Sequence, residues 1–227
     1  GLRISASFYP LAYFAQEIGG AQVSVRELTP VGAEPHDYDL SPRDIAEIES
    51  SDLLILNGGL EPWDERLRDV LAQSKVSVLE AGEGLISKPG DPHVWLDPQL
   101  AAKQAQAIAR RLSEIDPAHA ELYRANVAKL AERFATLDTQ YRAGLATCAR
   151  RELFTSHEAF GYLAERYRLA NTSIAGISPD EEPSSAKLIA VIALMRKERA
   201  TTVFFESLVS PRLAETIARE VGARTAV

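Results

Sequence analysis

The chain reads as an α/β protein of two parallel-sheet lobes, each of (β/α)4 type, bridged by one long helix. Three observations predict this. Short apolar runs alternate with amphipathic helical stretches almost throughout. The alternation breaks once, at the long helical stretch Pro117–Leu145, and then resumes. Strand followed by helix followed by strand is the connectivity that builds parallel sheets.

In the first half the strand candidates are Leu2–Ser7, Gln22–Leu28, Asp52–Asn57 and Lys75–Glu80. The helix candidates that follow them are Pro10–Ile18, Pro42–Ser50, Pro62–Ala72 and Pro98–Ile115. In the second half strands are expected at Glu152–Ser156, Ala170–Ile174, Thr201–Phe205 and Arg224–Val227, with helices at Glu158–Tyr167, Ser184–Arg199 and Pro211–Val221. Ser41-Pro42, Asp97-Pro98, Asp116-Pro117 and Ser210-Pro211 each place a capping oxygen before a proline, which is a helix-start signature. Ser41 and Asp44 also have the spacing of a capping box.

The long stretch carries Leu122, Val127, Leu130, Phe134, Leu137 and Tyr141 in steps of 5, 3, 4, 3 and 4, a helical stripe with one packed face. A helix of that length spans about 40 Å, which suits a connector between lobes better than a crossover between neighbouring strands. The expected organisation is therefore an N-terminal lobe over 1–115, a linker helix over 116–145 and a C-terminal lobe over 146–227. The last strand has no covering helix after it, so the second lobe is expected to be incomplete.

The 227 residues are 46% hydrophobic and 25% charged, an ordinary globular balance that excludes a disordered or collagen-like chain. A net charge of −7 with scattered Lys and Arg argues against a nucleic-acid partner. No apolar run reaches the roughly 18 residues of a membrane span. The single cysteine, Cys148, excludes an intramolecular disulfide and any cysteine-based zinc or iron–sulfur site. The chain begins Gly-Leu-Arg without an initiator Met, and reads as a mature chain whose signal peptide has been removed.

Three of the four histidines follow predicted strands: His36 in the loop Thr29–Tyr38, His93 in Gly90–Pro98, and His157 directly after Glu152–Ser156. Ligands of open α/β sheets bind beyond the carboxyl ends of the strands. If the carboxyl edges of the two lobes face each other, all three rings converge. Pro35 and Pro92 narrow the backbone ahead of His36 and His93. Three neutral imidazoles suit Zn²⁺ and leave one tetrahedral position open, whereas Mn²⁺, Mg²⁺ and Ca²⁺ favour more oxygen. Asp37, Asp97 and Glu158 are candidate acceptors for the outer imidazole N–H groups, and Asp97 also fits a helix cap. Glu206, at a strand end, is a candidate fourth ligand or supporting acceptor. His119 reads as an ordinary helix residue. No HExxH, GxSxG, P-loop or GxGxxG signature is present, and Gly58-Gly59 lacks the rest of a phosphate fingerprint. Asp180-Glu181-Glu182 reads as a loop and helix start.

Five segments carry a resemblance: Gly32–Tyr38 (GAEPHDY), Asn57–Trp63 (NGGLEPW), Asp91–Pro98 (DPHVWLDP), Ser156–Tyr162 (SHEAFGY) and Ile177–Ser184 (ISPDEEPS). In this order, and covering nearly the whole chain, they resemble the zinc/manganese solute-binding proteins of bacterial ABC importers, zinc-uptake subtype. The resemblance implies metal bound between two lobes joined by a rigid helix, with His36, His93 and His157 as ligands. A histidine rather than a carboxylate at 157 implies zinc, with manganese the alternative. It further implies a monomer in the periplasm, or lipid-anchored at the outer face of the cytoplasmic membrane, that delivers metal to an ABC permease. A further acidic ligand is expected beyond Val227, so the fourth ligand is not assigned. The short Leu85–Gly90 lacks the histidine-rich loop of many zinc members. The expected role is binding with no catalytic residues. A three-histidine zinc hydrolase, with Glu158 or Glu206 as base, and an adhesin-like interaction protein are the alternatives.

Overall fold

The computed structural model describes residues 1–72, 74–208 and 210–227. It divides into two compact units, Gly1–Thr139 and Gln140–Val227. The first contains β1 (Leu2–Ala6), α1 (Tyr9–Gly19), β2 (Val23–Glu27), α2 (Pro42–Glu49), β3 (Leu53–Leu56), α3 (Asp64–Leu71), β4 (Ser77–Glu80) and α4 (Pro98–Ile115). Helix α5 (Ala120–Leu145) begins in this unit and ends in the second. The second unit continues with β5 (Glu152–Thr155), α6 (Gly161–Tyr167), β6 (Ala170–Ser173), α7 (Ser185–Lys197), β7 (Thr202–Phe204), α8 (Arg212–Val221) and β8 (Arg224–Ala226).

Each unit holds a four-stranded, wholly parallel sheet, with orders β2-β1-β3-β4 and β6-β5-β7-β8. The two orders are the same topology. In each, the chain direction across the sheet reverses between the two central strands, β1 and β3 or β5 and β7. That reversal opens a crevice at the carboxyl ends.

The alternation of side chains along β3 shows why its run is apolar throughout. Leu53 and Ile55 join the core on one face with α1, α4 and α5, while Leu54 and Leu56 join Ile48, Trp63 and Leu67 on the other. The first stretch of α5 packs on the same core through Tyr123, Val127, Leu130 and Phe134, in steps of 4, 3 and 4. Phe134 meets Phe14 edge-on at 5.4 Å, and Asn126 Nδ2 donates to the Ile18 carbonyl at 2.9 Å. This corrects the predicted stripe. Tyr123, fully buried, belongs to it, whereas Leu122, Leu137 and Tyr141 are exposed.

Two of the four predicted caps form. Ser41 accepts from the Asp44 N–H and Asp44 returns the bond, a complete capping box, and Asp97 accepts from Gln99 N–H at 2.8 Å. Asp116 caps nothing, because its Oδ2 is taken by His119 Nδ1 and the Tyr123 hydroxyl, each at 2.7 Å. Those two bonds hold its carboxyl below the usual range. They also give His119 its structural role. Ser210 caps nothing either, since α8 starts one residue later with Pro211 at its N-cap. Helix α6 starts at Gly161 rather than Glu158, and the Glu158 N–H is bound to the Gly176 carbonyl at 2.8 Å.

Candidate metal centre

In the first unit His36 and His93 come from loops beyond the two outer strands, β2 and β4, and the structure brings them together. Their Nε2 atoms are 3.0 Å apart. His93 is buried and His36 half-buried. The Asp91 carboxylate accepts both the His93 N–H, at 3.0 Å, and its ring Nδ1–H, at 2.8 Å. With Nδ1 donating, Nε2 is left with its lone pair. Two ring nitrogens this close require a proton or a cation between them. Tetrahedral zinc with Zn–N distances of about 2.0–2.1 Å would hold two ligand nitrogens about 3.3 Å apart, so a small adjustment suffices.

The loop carrying His93 is fixed from beneath. Asn57, at the end of β3, donates through Nδ2 to the Pro92 carbonyl at 2.9 Å, and its Oδ1 accepts from Gln104 Nε2 of α4 at 2.8 Å. Both side chains are fully buried. The chain can leave β3 this tightly because Gly58 and Gly59 take φ of 86° and 72°, a region unfavourable to other residues. The Glu61 carboxylate then accepts from the Asn57 and Gly58 N–H groups at 2.7 and 3.1 Å. The NGGLE run is thus a carboxylate-tied turn.

The loop carrying His36 is anchored through Tyr38, whose hydroxyl donates to Asp44 Oδ2 at 2.8 Å. Arg26 of β2 reaches the other oxygen of Asp44 at 3.2 Å. Burial pushes the Asp44 carboxyl up, but bonds from Ser41, Tyr38 and Arg26 outweigh it and hold the group at about 2.

In the second unit His157 is buried directly after β5, and its Nδ1 lies 3.0 Å from Glu206 Oε1. The approach is short but off the line of an aligned hydrogen bond. Glu206 follows β7, so the pair flanks the point where this sheet reverses direction. The Ser156 hydroxyl donates to the other oxygen of Glu206, and Thr155 Oγ1 donates to the His157 carbonyl at 2.8 Å. Burial raises the Glu206 carboxyl, but His157 and Ser156 outweigh it, and the group is held below the usual range.

Glu206 thus takes the supporting place expected of it, and the support of His93 is Asp91. His93 uses Asp91, while Asp97 accepts at the cap of α4. His157 uses Glu206, while Glu158 is exposed. Asp37 is exposed too, and its N–H is bound to the Glu34 carbonyl at 3.2 Å. Asp91, Asn57 and Gln104 escaped the sequence reading. The Asp-Pro-His spacing, which lets a carboxylate reach back to an N–H two residues on, is the signal that could have found the first.

The family described as zinc-uptake complex component A, periplasmic, matches residues 4–227. The high-affinity zinc uptake system protein ZnuA of Bacillus subtilis is 32% identical over all of this chain and 77% of its own length. The zinc-binding lipoprotein AdcA of Streptococcus pneumoniae is 33% identical over all of this chain, which spans 49% of that protein. A zinc-bound AdcAII variant of Streptococcus pneumoniae superposes with a TM-score of 0.91 at 33% identity, covering 100% of this chain and 87% of that one. With its two parallel-sheet units and paired histidine loops, the chain belongs to the family of periplasmic A components of zinc-uptake complexes.

Proposed function

We propose that this chain captures Zn²⁺ through His36, His93 and His157 and passes it to an ABC permease, working in the periplasm or anchored at the outer face of the cytoplasmic membrane. The observation that carries this reading is the 3.0 Å approach of two imidazole Nε2 atoms, one of them oriented by a buried carboxylate. His157 is added because it stands beyond the carboxyl end of its own sheet and has its own carboxylate partner, as His93 does. The names of ZnuA and AdcA and the zinc in AdcAII support zinc as the cargo. Nitrogen donors favour zinc over manganese.

The role is binding rather than catalysis. The carboxylates nearest the rings, Asp91 and Glu206, are occupied in orienting imidazoles, which leaves them poorly placed as a general base for a hydrolase. Protons and zinc compete for the same ring nitrogens, so affinity should fall as the solution is acidified through about pH 6.5. The test is calorimetric titration of zinc into the protein and its His36→Ala, His93→Ala and His157→Ala variants. Each should lose more than the roughly 10–100-fold typical of removing an outer partner. An unchanged affinity in any one of them removes that residue from the ligand set.

A further inference from the structure

Within the second unit, four arginines line one cavity of about 330 Å³: Arg142, Arg151, Arg166 and Arg168. The rest of its described lining is Leu145, Ala146 and Tyr167, with no acidic side chain. This is in a chain whose 32 acidic residues outnumber its 25 Lys and Arg. Arg151 precedes β5, whereas His157 follows it, so the cavity lies at the amino edge of the sheet, away from the histidine.

Helix ends explain three of the four. Arg142 and Arg166 stand in the last turns of α5 and α6, where a cation complements exposed carbonyls. Arg168, the C-cap of α6, shares that setting, whereas Arg151 has no such reason. Both are exposed, and among the described residues neither has an ion pair. Arg168 also occupies the left-handed region, at φ 57° and ψ 42°, as the residue that ends α6. Glycine is the usual choice there, and Gly222 fills the equivalent place after α8. Arg199 is left-handed too, at φ 51°, so what sets Arg168 apart is its place in the cavity wall. The wall is also ordered: the Arg166 guanidinium lies 5.9 Å from the Tyr167 ring centre, and Tyr167 stacks on Tyr141 at 5.0 Å.

The geometry points to a second binding site, for a phosphate group, in this arginine cavity. Guanidinium is planar, permanently charged and forked to match phosphate oxygens. The phosphate can belong to an anionic lipid headgroup or to a free phosphate, and the experiment separates them. Protein is sedimented with phosphatidylglycerol or phosphatidylcholine vesicles, and inorganic phosphate is titrated separately. Binding to either phosphate source, phosphatidylglycerol or inorganic phosphate, should weaken about tenfold in Arg151→Ala and in Arg168→Gly. The glycine variant relieves the left-handed strain, so its melting temperature should hold or rise while binding falls. Zinc affinity should stay unchanged in both, which keeps this site separate from the proposed metal centre. Vesicle binding alone identifies a headgroup, and titration alone identifies free phosphate. No binding of either kind, or binding untouched by both substitutions, overturns the inference.

Discussion

The two units share a strand order but not a core. In the first, both faces of the sheet are covered, and every β3 side chain is buried. In the second, one apolar cluster lies on one face around Phe154, Val191 and Val203, while Phe204, on the alternate face, is 39% exposed. A groove of about 550 Å³ lined by Leu153, Phe160, Leu163 and Phe204 runs along that face. The histidine supports follow the same contrast. His93 rests on fully buried Asn57 and Gln104 and on Asp91, whose side chain is 7% exposed, whereas Glu206 behind His157 is 29% exposed at the end of a three-residue strand. The lesson is that His93 rests on groups buried within its unit, whereas His157 rests on a carboxylate partly open to solvent. The support of His93 should be preformed and that of His157 more easily disturbed.

The largest effect expected of that difference is in core truncation. Leu54→Ala in β3 should cost about 2–5 kcal/mol of unfolding free energy, as for other fully buried leucines. Val203→Ala in β7 should cost less, since the smaller side chain leaves a smaller void and a groove runs along the other face of the sheet. Denaturant melts of both variants measure this, and equal costs would break the comparison.

Next is the acid clamp behind His36. The Asp44 carboxyl at about 2, against its ordinary 3.8, corresponds to about 2 kcal/mol. Because the folded value is depressed, this stability is fully present above about pH 4. It is lost as the pH falls from about 4 to about 2. Asp44→Asn should remove it at neutral pH and flatten the acid limb of the stability profile. Tyr38→Phe should remove one charge-assisted bond of the same clamp, about 1–2 kcal/mol.

Zinc affinity sharpens the comparison further. Asp91→Asn and Glu206→Gln each remove an imidazole partner, and each should weaken binding within the roughly 10–100-fold range of such partners. Asp91→Asn should lie at the upper end, since the buried carboxylate holds both the ring and the backbone of His93. Glu206→Gln should lie at the lower end. The smallest effect expected is in hydrogen exchange: β7 amides should exchange faster than β3 amides, and zinc should slow the former more.

Much of this was legible in the residues. Both sheets, the long helix and the Ser41 and Asp97 caps follow from periodicity and from proline at helix starts. The meeting of His36 and His93 was foreseeable because loops at strand ends converge in this fold class. What stayed hidden depended on competition for a shared group. Asp97 could serve a ring or a cap, and only the fold shows the cap taking it. Asp116 could cap a helix or hold His119 and Tyr123, and it does the latter. Glu206 lies far from His157 in sequence, and its weight emerges only once β5 and β7 are seen to be neighbours.

The central claim is most directly tested by X-ray absorption at the zinc edge of the loaded protein. The account predicts three imidazole nitrogens at about 2.0–2.1 Å, falling to two in His157→Ala. A shell built from sulfur or mainly from oxygen, or one unchanged by that substitution, would contradict it.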